Sequence, residues 1–296
     1  MKRLAVIGHQ LTHKFIYPGH INGFDVDKMR QFGGWMADMH RGRDGSPLNR
    51  DVRVVAIASS DASAGEIAEA CFIDHVYKTV EELPPDSVDG VLILENDGAK
   101  HLQLARPFLE RGKFVYCDKP VATTVSDLEE MQRLAMQNDA IWMGGSALRY
   151  SPKLQAATRF IAQKRPTGLT IVGPGTWYDY ACHTVEALQV LFGNTIVSVQ
   201  PVGNLSAGAV AIQWQDGALA TLLFGRGYEP LFRIHAFFMD EMKEWIIDDA
   251  YDYYLSLSKV LVQRLYQLPS DVEQLHPWED LHAITSLLET VGRQIQ

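Results

Sequence analysis

Phe114-Val115-Tyr116-Cys117-Asp118-Lys119-Pro120 is the most informative stretch of this sequence. An apolar run leads directly into an acid, a lysine and a proline, which is typical of a short buried strand. Proline fixes φ and has no N–H to donate to a neighbouring strand, so we expect the strand to end at Lys119. In an open parallel sheet, ligands bind just beyond the carboxyl ends of the strands. Lys119 is therefore a candidate for catalysis or cofactor positioning, and a strand-ending lysine in solvent is the alternative.

Buried strands and helices alternate on both sides of this stretch. Further strands are predicted at residues 4–8, 52–59, 88–94 and 141–145. Helices are predicted at residues 62–71, at 99–111 and from 126 onward. Strands that alternate with helices predict an α/β fold with a parallel, doubly wound sheet and right-handed crossovers. We assign residues 1–148 to this Rossmann-type domain.

The pattern changes after Pro152. Strands are predicted near residues 169–172 and at 196–202, 210–214, 218–224, 232–238 and 244–247. Gln215-Asp216-Gly217 predicts a hairpin turn between two of them. Together with the helical patterns at 153–164, 184–192, 251–268 and 277–295, these strands predict an α+β domain over residues 149–296, with a mostly antiparallel sheet.

Composition excludes several classes of protein. The chain has 296 residues, enough for about two domains, and a formal charge of −9. Because no dense basic cluster offsets this charge, we expect neither a nucleic-acid partner nor a membrane partner. The three cysteines are far apart without a C-x-x-C motif, and no stretch approaches membrane-spanning length. We therefore expect a cytoplasmic protein with reduced thiols.

The first predicted strand ends in Gly8, the usual opening of a nucleotide-binding βαβ unit. The rest of the dinucleotide fingerprint is absent, because no second or third glycine follows at the fingerprint spacing. We predict cofactor contacts at Gly8, His9, Gln10 and Leu11, in a loop that is looser or differently shaped than a glycine-rich one. Side chains such as Thr12 and the neighbouring His9 and Gln10 are expected to substitute for missing backbone contacts.

Polar residues also follow the next two predicted strands. Ser59 and Ser60 lie at the end of the second strand, where NAD-binding sheets usually place a carboxylate that bonds the ribose 2′-hydroxyl. Asp61 comes two residues late and is equally suited to be the N-cap of the following helix, so the choice between NAD and NADP stays open. Glu95 and Asn96 follow the next strand and are further candidates for cofactor binding.

The first crossover is long and contains an aromatic segment, residues 17–24, that is rich in turn-forming residues. Long irregular insertions in compact domains are often functional loops. We therefore take His20 as a candidate contact for a ligand, with a surface histidine in a turn as the alternative.

Asp179 and His183 lie four residues apart just before and at a predicted helix start. If that turn is helical, both side chains lie on one face, and a carboxylate beside an imidazole suits general acid–base chemistry. The alternative is that His183 caps the helix and Asp179 pairs with backbone. We expect no metal site, because only Glu186 joins this pair and no second histidine is present.

These elements together resemble the glucose–fructose oxidoreductase/inositol dehydrogenase (Gfo/Idh/MocA) family over nearly the whole chain. The resemblance depends on five features: Gly8 after a strand, His101, the stretch Gly112–Pro120, Arg149 before Pro152, and Asp179-x-x-x-His183. Two positions depart from the family pattern. Asp118 stands where Glu is usual before Lys-Pro, and Glu186 stands where Asp is usual after the histidine.

The resemblance implies a site and a cofactor. Lys119 and His183 would be the catalytic pair and Asp179 an acid that orients the substrate or the histidine. The sheet would bind NAD or NADP, with His101, Asp118 and Lys119 added to the cofactor-binding residues. We take Arg149, Tyr178 and His20 as candidate substrate contacts, and we expect Lys119 and His183 to converge on one substrate.

Two functions of different class remain open. The first is an NAD(P)-dependent oxidoreductase that transfers a hydride between nicotinamide and a sugar, polyol or related hydroxylated small molecule. The second is a catalytically silent regulatory or sensor relative that binds a cofactor or a sugar. In either case we expect a homo-oligomer that forms through the antiparallel sheet of the C-terminal domain.

Overall fold

A computed structural model of the chain describes residues 1–9, 11–34, 38–40, 42–266 and 278–295. Gln10 and the side chain of Leu11, both predicted to contact a cofactor, lie outside the described part. The chain divides into two compact units. The first contains Met1–Ala122, Ser126–Gly144 and the described part of Tyr254–Gln274, and the second contains Thr123–Val125, Gly145–Tyr253 and the described part of Leu275–Gln296. The predicted domain limits, 1–148 and 149–296, stay a prediction.

The first unit is built on a parallel sheet. Its strands are β1 (Lys2–Ile7), β2 (Val52–Ala58), β3 (His75–Tyr77), β4 (Gly90–Ile93), β5 (Phe114–Cys117) and β6 (Trp142–Gly144). The spatial order is β3-β2-β1-β4-β5-β6, and every neighbouring pair is parallel. This is the order of a doubly wound dinucleotide-binding sheet, so the predicted fold is confirmed. Strand β5 ends at Cys117, two residues earlier than expected, so Asp118 and Lys119 lie just beyond its carboxyl end.

Helices connect these strands. They are α1 (Leu11–Asn22), α2 (Val26–Gln31), α3 (Ala64–Ala70), α4 (His101–Leu109) and α5 (Val125–Gln137). Short 3-10 turns lie at Val80–Glu82, Pro85–Ser87 and Gly98–Lys100. In the described part of the chain, no helix is long and apolar enough to cross a membrane.

The prediction of turns over residues 17–24 was wrong, because α1 continues to Asn22 with Pro18 inside it. Buried apolar residues on both sides of Pro18, among them Ile16 and Ile21, compensate for the helix hydrogen bond that proline removes. Gly19 is required for packing, since a Cβ there would lie 2.5 Å from a ring carbon of His40. The Pro-Gly pair that suggested a turn therefore marks a tight helix contact.

The second unit contains a mixed, mostly antiparallel sheet, as predicted. Its strands are β7 (Gly168–Pro174), β8 (Ile196–Asn204), β9 (Ala207–Trp214), β10 (Leu219–Gly225), β11 (Phe232–Phe237) and β12 (Met242–Ile247). The order is β12-β11-β7-β10-β9-β8, and β7 with β10 is the parallel pair. Its helices are the 3-10 turn Ala147–Tyr150, α6 (Pro152–Gln163), α7 (Cys182–Phe192) and α9 (Trp278–Gln294). Helix α8 (Ala250–Leu265) belongs to the first unit from Tyr254 onward.

One face of this second sheet forms the apolar core of the unit. Alternate residues such as Ile171, Ile212 and Ile234 are fully buried and pack with residues of α6, α7 and α9. The indole N–H of Trp177 donates to the carbonyl of Leu288 at 2.9 Å, which ties the segment before α7 to α9. The core therefore fixes the position of the chain immediately before His183.

The packing of α1 predicts how stability depends on pH. Burial lowers the pKa of His20 to about 3 and, helped by the neighbouring His20 and Arg43, lowers the pKa of His40 to about 3 as well. Between pH 3 and 6.5 the unfolded chain therefore binds more protons than the folded chain, and stability falls as pH falls. From pH 7 to pH 5 we expect a loss of about 2 kcal/mol for each histidine, measured by urea unfolding.

The matched variant for this prediction is His40→Phe. Among the described residues neither ring nitrogen of His40 has a hydrogen-bond partner, so phenylalanine preserves shape without removing a bond. The variant is expected to keep its free energy of unfolding at pH 7. Between pH 7 and pH 5, the fall in that free energy that the two histidines cause is expected to be about half as large. An unchanged slope of stability against pH would contradict this account.

Candidate functional site

The carboxyl ends of β1, β2 and β4 bring three predicted cofactor residues together. Gly8 has φ of +119°, and a Cβ there would lie 2.4 Å from the carbonyl oxygen of Leu94, so only glycine fits. The next residue, His9, bonds the Glu95 carboxylate through Nδ1 at 2.8 Å and the Ser60 hydroxyl through Nε2 at 2.9 Å. The His9 side chain is half exposed, so the three side chains form a polar rim in front of the strand ends.

Lys14, a residue of α1 that was not predicted from the sequence, places a cation beside the end of β2. Its ammonium group is fully buried and donates to the Ser59 hydroxyl at 3.1 Å and to the Asp61 carboxylate at 3.3 Å. Burial lowers the pKa of Lys14 although Asp61 acts in the opposite direction. The ion pair therefore holds Ser59 and Asp61 at the strand end.

Asp61 is not the N-cap of α3, because that position belongs to Ser63. Its carboxylate accepts from the backbone N–H and the hydroxyl of Ser63, both at 2.8 Å. The Ser63 N–H and hydroxyl, together with Lys14, lower the pKa of Asp61 to about 2. A charged carboxylate therefore stands beside the two predicted serines.

His101 and Asn96 lie near this rim in different environments. His101 is fully buried, and its ring nitrogens lie 2.9 Å from the carbonyl oxygens of Glu95 and Val121. It thus links the loops that follow β4 and β5, which is a structural task. Asn96 is exposed in the loop after β4.

The segment after β5 carries the predicted lysine. Lys119 is 3% exposed, and its bond to Pro120 is cis. The preceding Asp118 is buried and bonds the Nδ1 of His13, while its other oxygen accepts from the hydroxyl of Tyr116 at 3.3 Å. The lysine therefore extends from a segment whose preceding residue is fixed by buried hydrogen bonds.

His183 lies in the first turn of α7, in the second unit. Its Nδ1 is 2.5 Å from the hydroxyl of Ser146, which also accepts the N–H of Leu148 at 3.0 Å. The rings of Tyr180 and Phe232 stand 5.6 and 5.4 Å from the imidazole. Ser146 follows Gly145, the first residue after β6, and was not among the predicted residues, yet it fixes one ring nitrogen of His183.

Arg149 is buried and bonded within the second unit, and its predicted substrate contact stays a prediction. It is 2% exposed, and its guanidinium donates to Glu186 at 2.7 Å, to Gln189 at 2.7 Å and to Asp280 at 3.3 Å. Burial raises the pKa of Glu186, against the effect of the Arg149 charge. Because Glu186 also accepts the backbone N–H of Ser146 at 2.7 Å, the arginine supports the residue that orients His183.

The other candidates in the second unit lie on the turn Trp177–Ala181, which closes with π-type hydrogen bonds. Asp179 is exposed there. Tyr178 packs toward α9, since a Cβ at Gly292 would lie 2.0 Å from the tyrosine hydroxyl. The predicted roles of Asp179 toward His183 and of Tyr178 toward substrate stay predictions.

His20, the remaining predicted substrate residue, lies in α1 of the first unit. It is fully buried in the first unit, with Nδ1 at 2.9 Å from the Ser258 hydroxyl and Nε2 at 3.2 Å from the Met39 carbonyl. The alternative, a surface histidine in a turn, is wrong because His20 is buried in α1, and its predicted contact with substrate stays a prediction. Within the described ranges, no three His, Cys, Asp or Glu side chains are placed to hold a metal ion.

Comparison with known proteins agrees with this geometry. Residues 33–146 match the GFO_IDH_MocA family, described as an oxidoreductase family with an NAD-binding Rossmann fold. A scyllo-inositol dehydrogenase from Lactobacillus casei, solved with bound NAD(H) and scyllo-inositol, matches 99% of this chain and 97% of its own with a TM-score of 0.72. Residues 33–146 of this chain are therefore similar to that NAD-binding family domain. At 14% identity, the likeness to that structure shows the fold alone.

Curated relatives match only part of this chain. A trans-1,2-dihydrobenzene-1,2-diol dehydrogenase from Danio rerio is 29% identical over 112 residues, which are 38% of this chain and 34% of the relative. An NADP-dependent scyllo-inositol 2-dehydrogenase from Bacillus subtilis is 26% identical over 106 residues, 36% of this chain and 32% of the relative. The match thus spans about a third of the length of these relatives.

Proposed function

We propose that this protein is a member of the Gfo/Idh/MocA family and an NAD(P)-dependent oxidoreductase that acts on a CH–OH group of a sugar, polyol or related small molecule. One observation carries the proposal: Lys119 extends from the carboxyl end of β5, in the same sheet whose neighbouring strand ends hold Gly8, His9, Ser60 and Glu95. Relatives that are dehydrogenases of inositol and of a cyclic diol support this substrate class. Three buried free thiols favour a cytoplasmic location.

The residues at the strand ends fit a dinucleotide. Gly8 lets the backbone turn closely past Leu94, and α1 begins at Leu11, so its N-terminus follows the turn. Helix N-termini favour phosphate groups, because their first N–H groups lack partners within the helix. Ser59, Ser60 and Asp61 lie at the end of β2, where such folds recognise the adenosine ribose. His9 offers an imidazole where a glycine-rich loop would offer further backbone N–H groups.

The proposed chemistry divides between two residues. A bound nicotinamide supplies a carbon that exchanges a hydride with the substrate carbon. His183, oriented through Nδ1 by Ser146, takes the hydroxyl proton in the oxidation direction. Lys119 stabilises negative charge that develops on the same oxygen and helps to hold the cofactor ribose. The two residues belong to different units, and their convergence on one substrate stays a prediction.

The experiment that tests the proposal is a titration of the purified protein with NADH and with NADPH, followed by nicotinamide fluorescence. We expect one of the two to bind, with micromolar or weaker affinity. A charge-assisted hydrogen bond contributes about 1.5–3 kcal/mol, and the loop after Gly8 offers fewer of them than a glycine-rich loop. Absence of binding to both would refute the oxidoreductase proposal, and sub-micromolar affinity would show that this loop is a better phosphate site than we expect.

The alternative is a relative that binds cofactor or sugar without turnover. The missing glycines and the bonds of His9 to Ser60 and Glu95 favour it, because a ligand phosphate would meet side chains where family members have backbone. The presence of Lys119, Asp179 and His183 together favours the enzyme. Binding without turnover on any hydroxylated substrate would select the alternative.

We also propose that the second sheet forms a homo-oligomer. The face opposite its helices carries the exposed apolar side chains of Val202, Leu219, Phe237 and Met242. Small residues, among them Ala211, lie between them on the same face. A broad, flat face of this kind suits contact with a second copy of the chain.

A further inference from the structure

His13 stands where a dinucleotide fingerprint would place its third glycine. In the spacing Gly-x-Gly-x-x-Gly that begins at Gly8, the second and third positions hold Gln10 and His13. The third glycine normally lets the helix pack closely on the sheet. Here a 4% exposed imidazole occupies the position. A side chain of this size and polarity must have partners when it is buried.

Its partners link α1 to the end of β5. Nδ1 bonds the carboxylate of Asp118, and Nε2 lies 2.7 Å from the hydroxyl of Tyr254 in α8. Tyr116 bonds the other carboxylate oxygen of Asp118 at 3.3 Å. All four side chains are buried, and all belong to the first unit.

The electrostatics explain why this arrangement affects Lys119. Burial pushes the pKa of Asp118 upward, but His13 and Lys119 outweigh burial, and the pKa lies below its usual range. Asp118 is thus an ionised, buried carboxylate directly before Lys119. A buried charge that loses one hydrogen-bond donor moves or becomes protonated, and either change would disturb the next residue.

We propose that His13 is a positioning residue for Lys119. It holds the Asp118 carboxylate at the end of β5, with Tyr254 fixing the imidazole from the other side, and so fixes the backbone from which the lysine extends. The inference rests on the proposed function, in which Lys119 contacts the cofactor. It assigns a specific task to a residue that replaces a fingerprint glycine.

The test is a double-mutant cycle on NADH affinity, or on NADPH affinity if that is the bound cofactor. His13→Ala is expected to weaken binding about tenfold, because a bond to a charged group is lost. In a Lys119→Met background the same change is expected to have no further effect, since His13 acts through the lysine. His13→Gln, which retains a donor, is expected to recover part of the affinity.

The control is His20→Ala, which removes a buried histidine of the same helix that bonds Ser258 and the Met39 carbonyl. It is expected to lower the melting temperature and to leave affinity unchanged. If His13→Ala fails to fold, Tyr254→Phe removes only the hydroxyl on Nε2 and is expected to weaken binding about two- to fivefold, again only when Lys119 is present. If the His13 and Lys119 variants weaken cofactor affinity additively, or if His13→Ala and His20→Ala weaken it equally, the inference is wrong and the proposed function is unaffected. A wild-type protein that binds neither cofactor would overturn the proposed function as well.

Discussion

His183→Ala is expected to lower turnover by about 10²–10⁴-fold and to leave the affinity for the nicotinamide cofactor nearly unchanged. In the proposed mechanism the imidazole accepts the hydroxyl proton, and its Nδ1 lies 2.5 Å from the Ser146 hydroxyl. The measurement is steady-state kinetics on an active substrate, together with the fluorescence titration.

The matched control is His75→Ala, an exposed histidine on the edge strand β3. It is expected to keep both turnover and affinity. If His183→Ala retains full activity on a genuine substrate, His183 is not the base. If it loses cofactor affinity as severely as turnover, its role is in binding.

Lys119→Met is expected to lower turnover by about 10²–10³-fold, the usual cost of removing one group that stabilises a developing oxyanion. Unlike the histidine variant, it is also expected to weaken cofactor binding, because in the proposed mechanism the lysine helps to hold the ribose. Methionine keeps most of the length of the apolar stem, so the variant isolates the ammonium group. The distinguishing result is the joint loss in affinity and in turnover.

Lys113→Met is the control for this variant, since Lys113 precedes the other end of the same strand β5. It is expected to behave like the wild type. If Lys113→Met and Lys119→Met lower turnover and affinity equally, Lys119 acts only through stability. If Lys119→Met leaves cofactor affinity unchanged, Lys119 is not part of the cofactor site.

The sequence was sufficient to predict the sheet, because its strands are apolar runs that end in characteristic residues. Gly8, Ser60 and Glu95 were found as strand-end residues, and parallel strands bring such residues to one edge. The helix over residues 11–22 was missed because Pro18 and Gly19 are strong turn signals. Tertiary packing outweighs these turn signals. One face of α1 is buried, and the ring of His40 packs against Gly19.

The surroundings of buried polar residues could not be predicted. Arg149 and His20, both predicted to contact substrate, are buried and bonded to other parts of the chain, and their roles toward substrate stay predictions. Burial of a polar residue depends on partners that are distant in sequence, and a single sequence does not identify them. Ser146 and Lys14 were missed for the same reason. His13 did carry a signal, its position at the third fingerprint glycine.

The measurement that most directly tests the central claim is transfer of deuterium from substrate carbon to the cofactor. The protein is incubated with NAD or NADP and a panel of carbon-deuterated cyclic polyols and diols, and the mass of the recovered cofactor is measured. The account predicts that the reduced cofactor contains one deuterium atom with at least one substrate, and that His183→Ala suppresses this transfer. A protein that binds the cofactor but transfers no deuterium from any substrate, or an unchanged transfer in His183→Ala, would contradict it.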